Sequence, residues 1–296
     1  MRTMDPNRPQ TTSSKKKWFI GCGIGCGAVI IIVALLILSG VMFVKNIVKG
    51  FEDSEAILDT LTERYGEVEE YCPEPDGAIR QARIEAFLKV RELMQPIRNE
   101  LESAFNVFSE EDKSEDLEKE KPEVGAIGKI RTVFGMVPQV AEFLKVRNQS
   151  LLDAGMGLGE YYYIYIYAYY LWLNKPMEDG LPFQIRGGDR GFNMQDWDDE
   201  DSQEIRRIIQ IRRLQRLILP LLRNQYEKLQ ARGAESRMEG WRGILEAEIK
   251  ALESERYRMP WQDGLPEVIE SSLKPFRQRL EEGYSRLLNS LEISTN

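Results

Sequence analysis

Histidine is absent from the residue types that could do chemistry in this 296-residue chain, and only three cysteines occur. Its absence removes imidazole base catalysis, the Ser-His-Asp and Cys-His devices, and His-ligated zinc or haem. Cys72 is the one thiol outside an apolar N-terminal stretch. It has no histidine to activate it and no second thiol nearby for an intramolecular disulfide. The acidic cluster Asp196, Asp198, Asp199, Glu200 and Asp201 is of the type that holds a hard cation through oxygen ligands. With Asp189 as position 1 of a calcium loop, Asn193 falls at 5 and Glu200 at 12, but Met194 stands where the sharp turn needs glycine. The cluster therefore reads as a surface loop running into a helix N-terminus, where acids oppose the helix dipole favourably. Asp and Glu are plentiful, yet no two stand out by spacing as a catalytic pair. No enzyme activity, cofactor or metal is expected.

The most unusual stretch is Glu160-Tyr161-Tyr162-Tyr163-Ile164-Tyr165-Ile166-Tyr167-Ala168-Tyr169-Tyr170-Leu171-Trp172-Leu173. At 100 degrees per residue its tyrosines point in every direction, so as a helix it must be enclosed by protein, lipid or ligand. As a strand, Tyr163, Tyr165, Tyr167 and Tyr169 would share one face. Helix is favoured, because the preceding residues are helical and no partner strand is visible. Two roles are open. The tract is the aromatic core of a bundle, with hydroxyls reaching polar groups, or Tyr161, Tyr163, Tyr165, Tyr167, Tyr169 and Trp172 form a surface for a partner or an apolar ligand such as a lipid or quinone. Glycines 155, 157 and 159 just before it permit close approach of another helix and match no phosphate-binding loop.

Glu204 to Gln225 carries Ile208, Ile211, Leu214, Leu217, Ile218, Leu219, Leu221 and Leu222 on one broad arc of a helical wheel, a pattern that Arg207 and Ile209 break. Arg206, Arg212, Arg213, Arg216 and Arg223 crowd the opposite arc. These arginines either pair with carboxylates, such as those of 196–201 or 109–123, or form a basic face for anionic headgroups. Nucleic acid is not an expected partner, because the chain's net charge of −8 hides a −12 balance over residues 45–296.

Residues 1–17 form a basic tail of net charge +4, and residues 18–44 carry no charge. About 20 apolar residues span a bilayer, so 18–44 reads as a transmembrane helix. Five Lys and Arg precede it against Lys45, Lys49 and Arg64 after it, which places the N-terminus in the cytoplasm and the rest outside. Within the span, Gly21/Gly25 and Gly23/Gly27 are two overlapping small-xxx-small repeats, suited to packing on another membrane protein or a second copy.

The outer part reads as all-α: juxtamembrane helices over 45–108 and an acidic linker over 109–123, with eight acids and three lysines. A helical-bundle domain over 124–296 packs with 52–108. The expected helices run over 52–71, 78–108 with a bend near Pro96, 137–173, 202–232, 234–257 and 267–291, with a Gly/Pro-rich loop over 174–199. Phe87-Leu88-Lys89-Val90-Arg91 recurs as Phe143-Leu144-Lys145-Val146-Arg147, which reads as duplication or as two helices with the same packing need. The expected function is that of a single-pass membrane protein whose helical extracytoplasmic domain serves an envelope complex as an accessory or scaffold subunit. The alternatives are a carrier or sensor of an apolar ligand at the tyrosine helix, and a carboxylate-dependent hydrolase.

Overall fold

A computed structural model describes residues 41–104, 122–180, 183–186, 193–196, 200–231 and 236–293. The tail, most of the apolar run with Gly21, Gly23, Gly25 and Gly27, and nearly all of the acidic linker lie outside the described residues. Among those described, no helix is long and apolar enough to cross a membrane.

The chain divides into a large helical body, residues 46–182 and 196–295, and a second unit that includes residues 183–195. The body is helical, as its 3.6-residue periodicity predicts. Helix α1 (Val41–Tyr65) opens on the last four residues of the apolar run, buries Ser54 and Leu61, and ends in a 3-10 turn, Val68–Glu70. The expected helix over 52–71 is thus longer at its start and stops at Tyr65, because Gly66 takes a left-handed φ of +80°.

The expected 78–108 helix is two pieces, α2 (Gln81–Leu93) and α3 (95–104). The break at Met94 lets Pro96 enter at the first turn of α3, where its missing N–H is harmless. The expected 137–173 helix is also divided. Helix α4 runs Pro122–Asp153, so it begins inside the stretch assigned to the acidic linker. Gly155, at φ +65°, then turns the chain into α5 (Leu158–Tyr165). A π-helical segment, Ile166–Trp172, continues α5 and closes with Leu173 N–H donating to Ala168 O at 3.0 Å.

The expected loop over 174–199 contains two paired strands, β1 (Phe183–Arg186) and β2 (Asn193–Asp196). Phe183-Gln184-Ile185-Arg186 alternates apolar and polar with period two, a short strand signal that the surrounding glycines hide. Helices α6 (Glu200–Ala231) and α7 (Ser236–Ser254) lie close to their expected bounds. The expected 267–291 helix is broken into α8 (Glu267–Leu273), a 3-10 turn around Pro275, α9 (Arg277–Gly283) and α10 (Asn289–Glu292).

Two glycines of the 155–159 group set close approaches: a Cβ on Gly157 would meet Tyr65 Cβ at 2.7 Å, and Gly159 is tighter still. A Cβ on Gly159 would meet Val68 O at 2.5 Å and Tyr71 Cβ at 2.7 Å, and backbone cannot move aside as a flexible side chain can. The small-residue reading of this stretch therefore holds, with the turn after α1 as the neighbour. Gly159→Ala is expected to cost about 1–3 kcal/mol by overpacking, read as a lower midpoint in urea with an unchanged slope. A variant as stable as wild type would show that the turn after α1 is not packed against α5.

Candidate functional site: a polar network around the tyrosine helix

Tyr161, Tyr163, Tyr165, Tyr167 and Tyr169 are at most 2% exposed, and Tyr162 and Tyr170 are also buried. Enclosure on every side is what the wheel demanded. As a surface for a partner or an apolar ligand these tyrosines are unavailable, which corrects that reading. Trp172 alone of that group is half-buried, with the Arg277 guanidinium 5.3 Å from its ring centroid.

The rings sort by helical spacing. Tyr161, Tyr165 and Tyr169, four apart, pack around Phe87 with centroids 5.1–6.5 Å away. The Tyr163 and Tyr167 rings pack at a centroid distance of 4.2 Å, tilted by 34°, and Tyr167 Oη accepts from Trp261 Nε1 at 2.7 Å. Each buried hydroxyl must find a partner or lose its hydration without replacement. Tyr165 and Tyr170 donate to Asn289 Oδ1 at 2.8 and 2.9 Å, and the Asn289 amide donates to Asp179 O at 2.9 Å. Tyr161 donates to Glu292 Oε2 at 2.7 Å and accepts from Arg91 Nη1 at 3.0 Å.

Glu292 is fully buried on α10. Arg91 Nη1 and Arg98 Nε approach its Oε1 at 3.3 and 3.2 Å. Both guanidinium groups also donate to Gly283 O, Arg98 at 2.7 Å. Burial works against the charge on Arg91, but Glu292 and the surrounding tyrosine hydroxyls hold its pKa well above the usual value. Burial likewise pushes the pKa of Tyr161 well up, and the Glu292 carboxylate pushes in the same direction. The Tyr161 hydroxyl therefore stays protonated and donates to Glu292.

The repeated pentapeptide explains which arginines arrive here. In both copies Phe and Leu are buried and Arg, four residues after Phe, turns inward on the same helix face. Arg91 reaches the Glu292 carboxylate. Arg147, fully buried, donates to the carbonyls of Leu291 and Glu292 at 3.4 Å and lies 5.9 Å from the Tyr162 ring. The two copies thus hold α10 by its side chain and by its backbone.

No known protein family, curated protein or solved structure matches the chain.

The predicted basic face is divided between inside and outside. Arg213 donates to Ile293 O at 2.5 Å, and burial lowers its pKa. Arg223 pairs with Glu253 at 2.7 Å, and Arg212 donates to the Tyr257 hydroxyl at 2.6 Å. Arg206 is half-buried and Arg216 exposed. Pairing with carboxylates is met by Glu253 on α7, a partner that the wheel could not name.

Among the described residues no group of three or more His, Cys, Asp or Glu is placed to hold a metal. Of the acidic cluster, Asp196 closes β2 and Glu200 opens α6. Cys72 is half-buried with its Sγ 3.6 Å from Pro73 O. Sequence reasoning missed Glu292, Asn289, Arg91, Arg98 and Arg147. The one signal for two of them was the shared register of Phe and Arg in the repeat.

Proposed function

We propose that the chain is a single-pass membrane protein, N-terminus in the cytoplasm, whose helical domain lies outside the cytoplasm and serves an envelope complex as a binding subunit. The observation that carries this reading is the uncharged run 18–44 leading directly into a body held together by buried polar ties. Such a body suits a rigid part presented to a partner. The glycine pairs Gly21/Gly25 and Gly23/Gly27 supply a packing face within the bilayer, where close backbone approach replaces the hydrophobic driving force.

A C-terminal reporter fusion tests the topology: activity of an extracytoplasmic reporter is expected, and activity of a cytoplasmic one overturns the orientation. Pull-down of the full chain in mild detergent tests the rest. A defined companion or a second copy should co-purify, and Gly21→Leu with Gly25→Leu should remove it. Recovery of the monomer alone, from wild type and variant alike, would sink the subunit reading.

A further inference from the structure

Helix α7 has three sides. Trp241, Leu245, Glu248 and Leu252 are buried against the body. Arg242, Glu246, Lys250 and Glu253 form a charged row, from which Glu253 meets Arg223 of α6 at 2.7 Å. At 100 degrees per residue Gly240, Gly243, Ile244, Ala247, Ala251 and Ser254 share the third side, an arc of about 100 degrees without a charge. That side is bare. Ile244 is 46% exposed, and a Cβ on Gly240 or Gly243 would meet nothing within 4 Å. Glycine inside a helix destabilises it relative to alanine. Gly159 offsets that cost by a close approach within the chain, whereas Gly240 and Gly243 have a helical backbone and no close neighbour in their own chain.

One large aliphatic side chain among small ones suits close packing against another helix, whose distance is set by the side chains at the contact. The charged row beside it says which helix. Its signs alternate along the chain: Arg242, Glu246, Lys250, Glu253. Laid antiparallel on a second copy of itself, the row sets Arg242 opposite Glu253 and Glu246 opposite Lys250. Each of these pairs then occurs twice, about a two-fold axis near Ala247, and in the same register Ile244 falls opposite Ala251 of the second copy. Laid parallel, the row would oppose like charges. Complementarity of a surface to itself about a two-fold axis is the requirement of an isologous interface.

We infer that the outer side of α7 is a contact between two copies of this chain, which pair antiparallel about a two-fold axis near Ala247. The inference goes beyond the anchor reading and does not rest on it. Ile244 of each copy packs among Ala247, Ala251 and Gly243 of the other, and the alternating charges fix direction and register. One helix from each copy gives an interface at or below the small end of stable ones, about 1,200 Å². The pair is therefore weak, lost from a dilute pull-down and captured by a cross-link.

The test is disulfide trapping of the full chain in maltoside, with Cys22, Cys26 and Cys72 changed to Ser. Ala247→Cys lies beside its own copy, within the roughly 7 Å between Cα atoms that a disulfide needs. Ser254→Cys shares the same side of α7, but at a rise of about 1.5 Å per residue it lies roughly 20 Å from its copy. Under mild oxidation the Ala247→Cys dimer should form about tenfold faster or better than the Ser254→Cys dimer. Glu246→Lys should slow it about tenfold by setting lysines against lysines, and adding Lys250→Glu should restore it. Gly243→Leu should abolish the dimer with Tm at or above that of the parent, because leucine is the better helix former and its side chain enters open space. Loss of the dimer is then separated from loss of the fold. Equal rates at 247 and 254, or no recovery with Lys250→Glu, would overturn the antiparallel pair. No dimer at all from Ala247→Cys would overturn the contact between copies and leave this side of α7 to a different protein.

Discussion

Raising the pH through 10 to 11.5 is expected to unfold the helical body in one steep step. Tyrosinate absorbance at 295 nm should appear together with the loss of helical circular dichroism. Nine of the twelve tyrosines have pKa values raised above the ordinary value near 10: Tyr71, Tyr284 and the seven of the tract. Burial is the largest cause in each case. Because the folded pKa lies above the unfolded one, the folded body holds more protons than the unfolded chain once the pH exceeds about 10. Stability is fully present below that pH and falls as the pH rises.

Each such group contributes up to about 1.4 kcal/mol per pH unit, so nine give roughly 12 kcal/mol per unit, comparable with a whole domain stability of about 5–15 kcal/mol. The transition should therefore occupy about one pH unit. Tyr162→Phe should make it shallower by about one proton. Gradual ionisation of these tyrosines with the fold intact would contradict their burial.

That enclosure was legible in advance, because seven tyrosines within ten residues of a helix cannot all face one neighbour. Their partners were not. The sequence has 48 Asp and Glu side chains, and residues 267–291 read as one continuous helix. Nothing in it singled out Glu292, the next residue in the chain. What buries that carboxylate is the set of breaks at Pro275 and Gly283, which redirect the chain so that α10 can meet α2 and α4. Single-position punctuation of this sort is visible in a sequence, but the direction it sends the chain is decided by packing.

The arginines show the same limit from the other side. A wheel groups Arg212, Arg213, Arg216 and Arg223 by angle alone. Arg213 satisfies a buried carbonyl, Arg223 an exposed carboxylate, and Arg212 a tyrosine hydroxyl at the rim. Conversely, the repeated pentapeptide signalled the network only through Phe and Arg at four-residue spacing. It could be interpreted only once both arginines were seen to close on the same short helix.

Removing the acid of that network should have the largest effect of any single substitution. Glu292→Gln leaves the buried Arg91 and Arg98 without their shared counter-charge, while a Gln amide oxygen can still accept from Tyr161. Breaking a buried ion pair from one side costs about 3–5 kcal/mol, because the remaining charge stays desolvated. In a domain of this size that is a fall of roughly 6–20 °C in Tm. Arg98→Met should cost less, since Arg91 and Glu292 then remain as a balanced pair. The triple variant Arg91→Met, Arg98→Met, Glu292→Met should regain much of the loss, because apolar side chains of similar volume need no counter-charge. The coupling between positions 98 and 292 in a double-mutant cycle measures the pair itself. Thermal unfolding of the full chain in detergent reads all five proteins: wild type, the two single variants, their double and the triple. A Glu292→Gln change that moves Tm by less than 2 °C would mean that the carboxylate is not held between the two arginines.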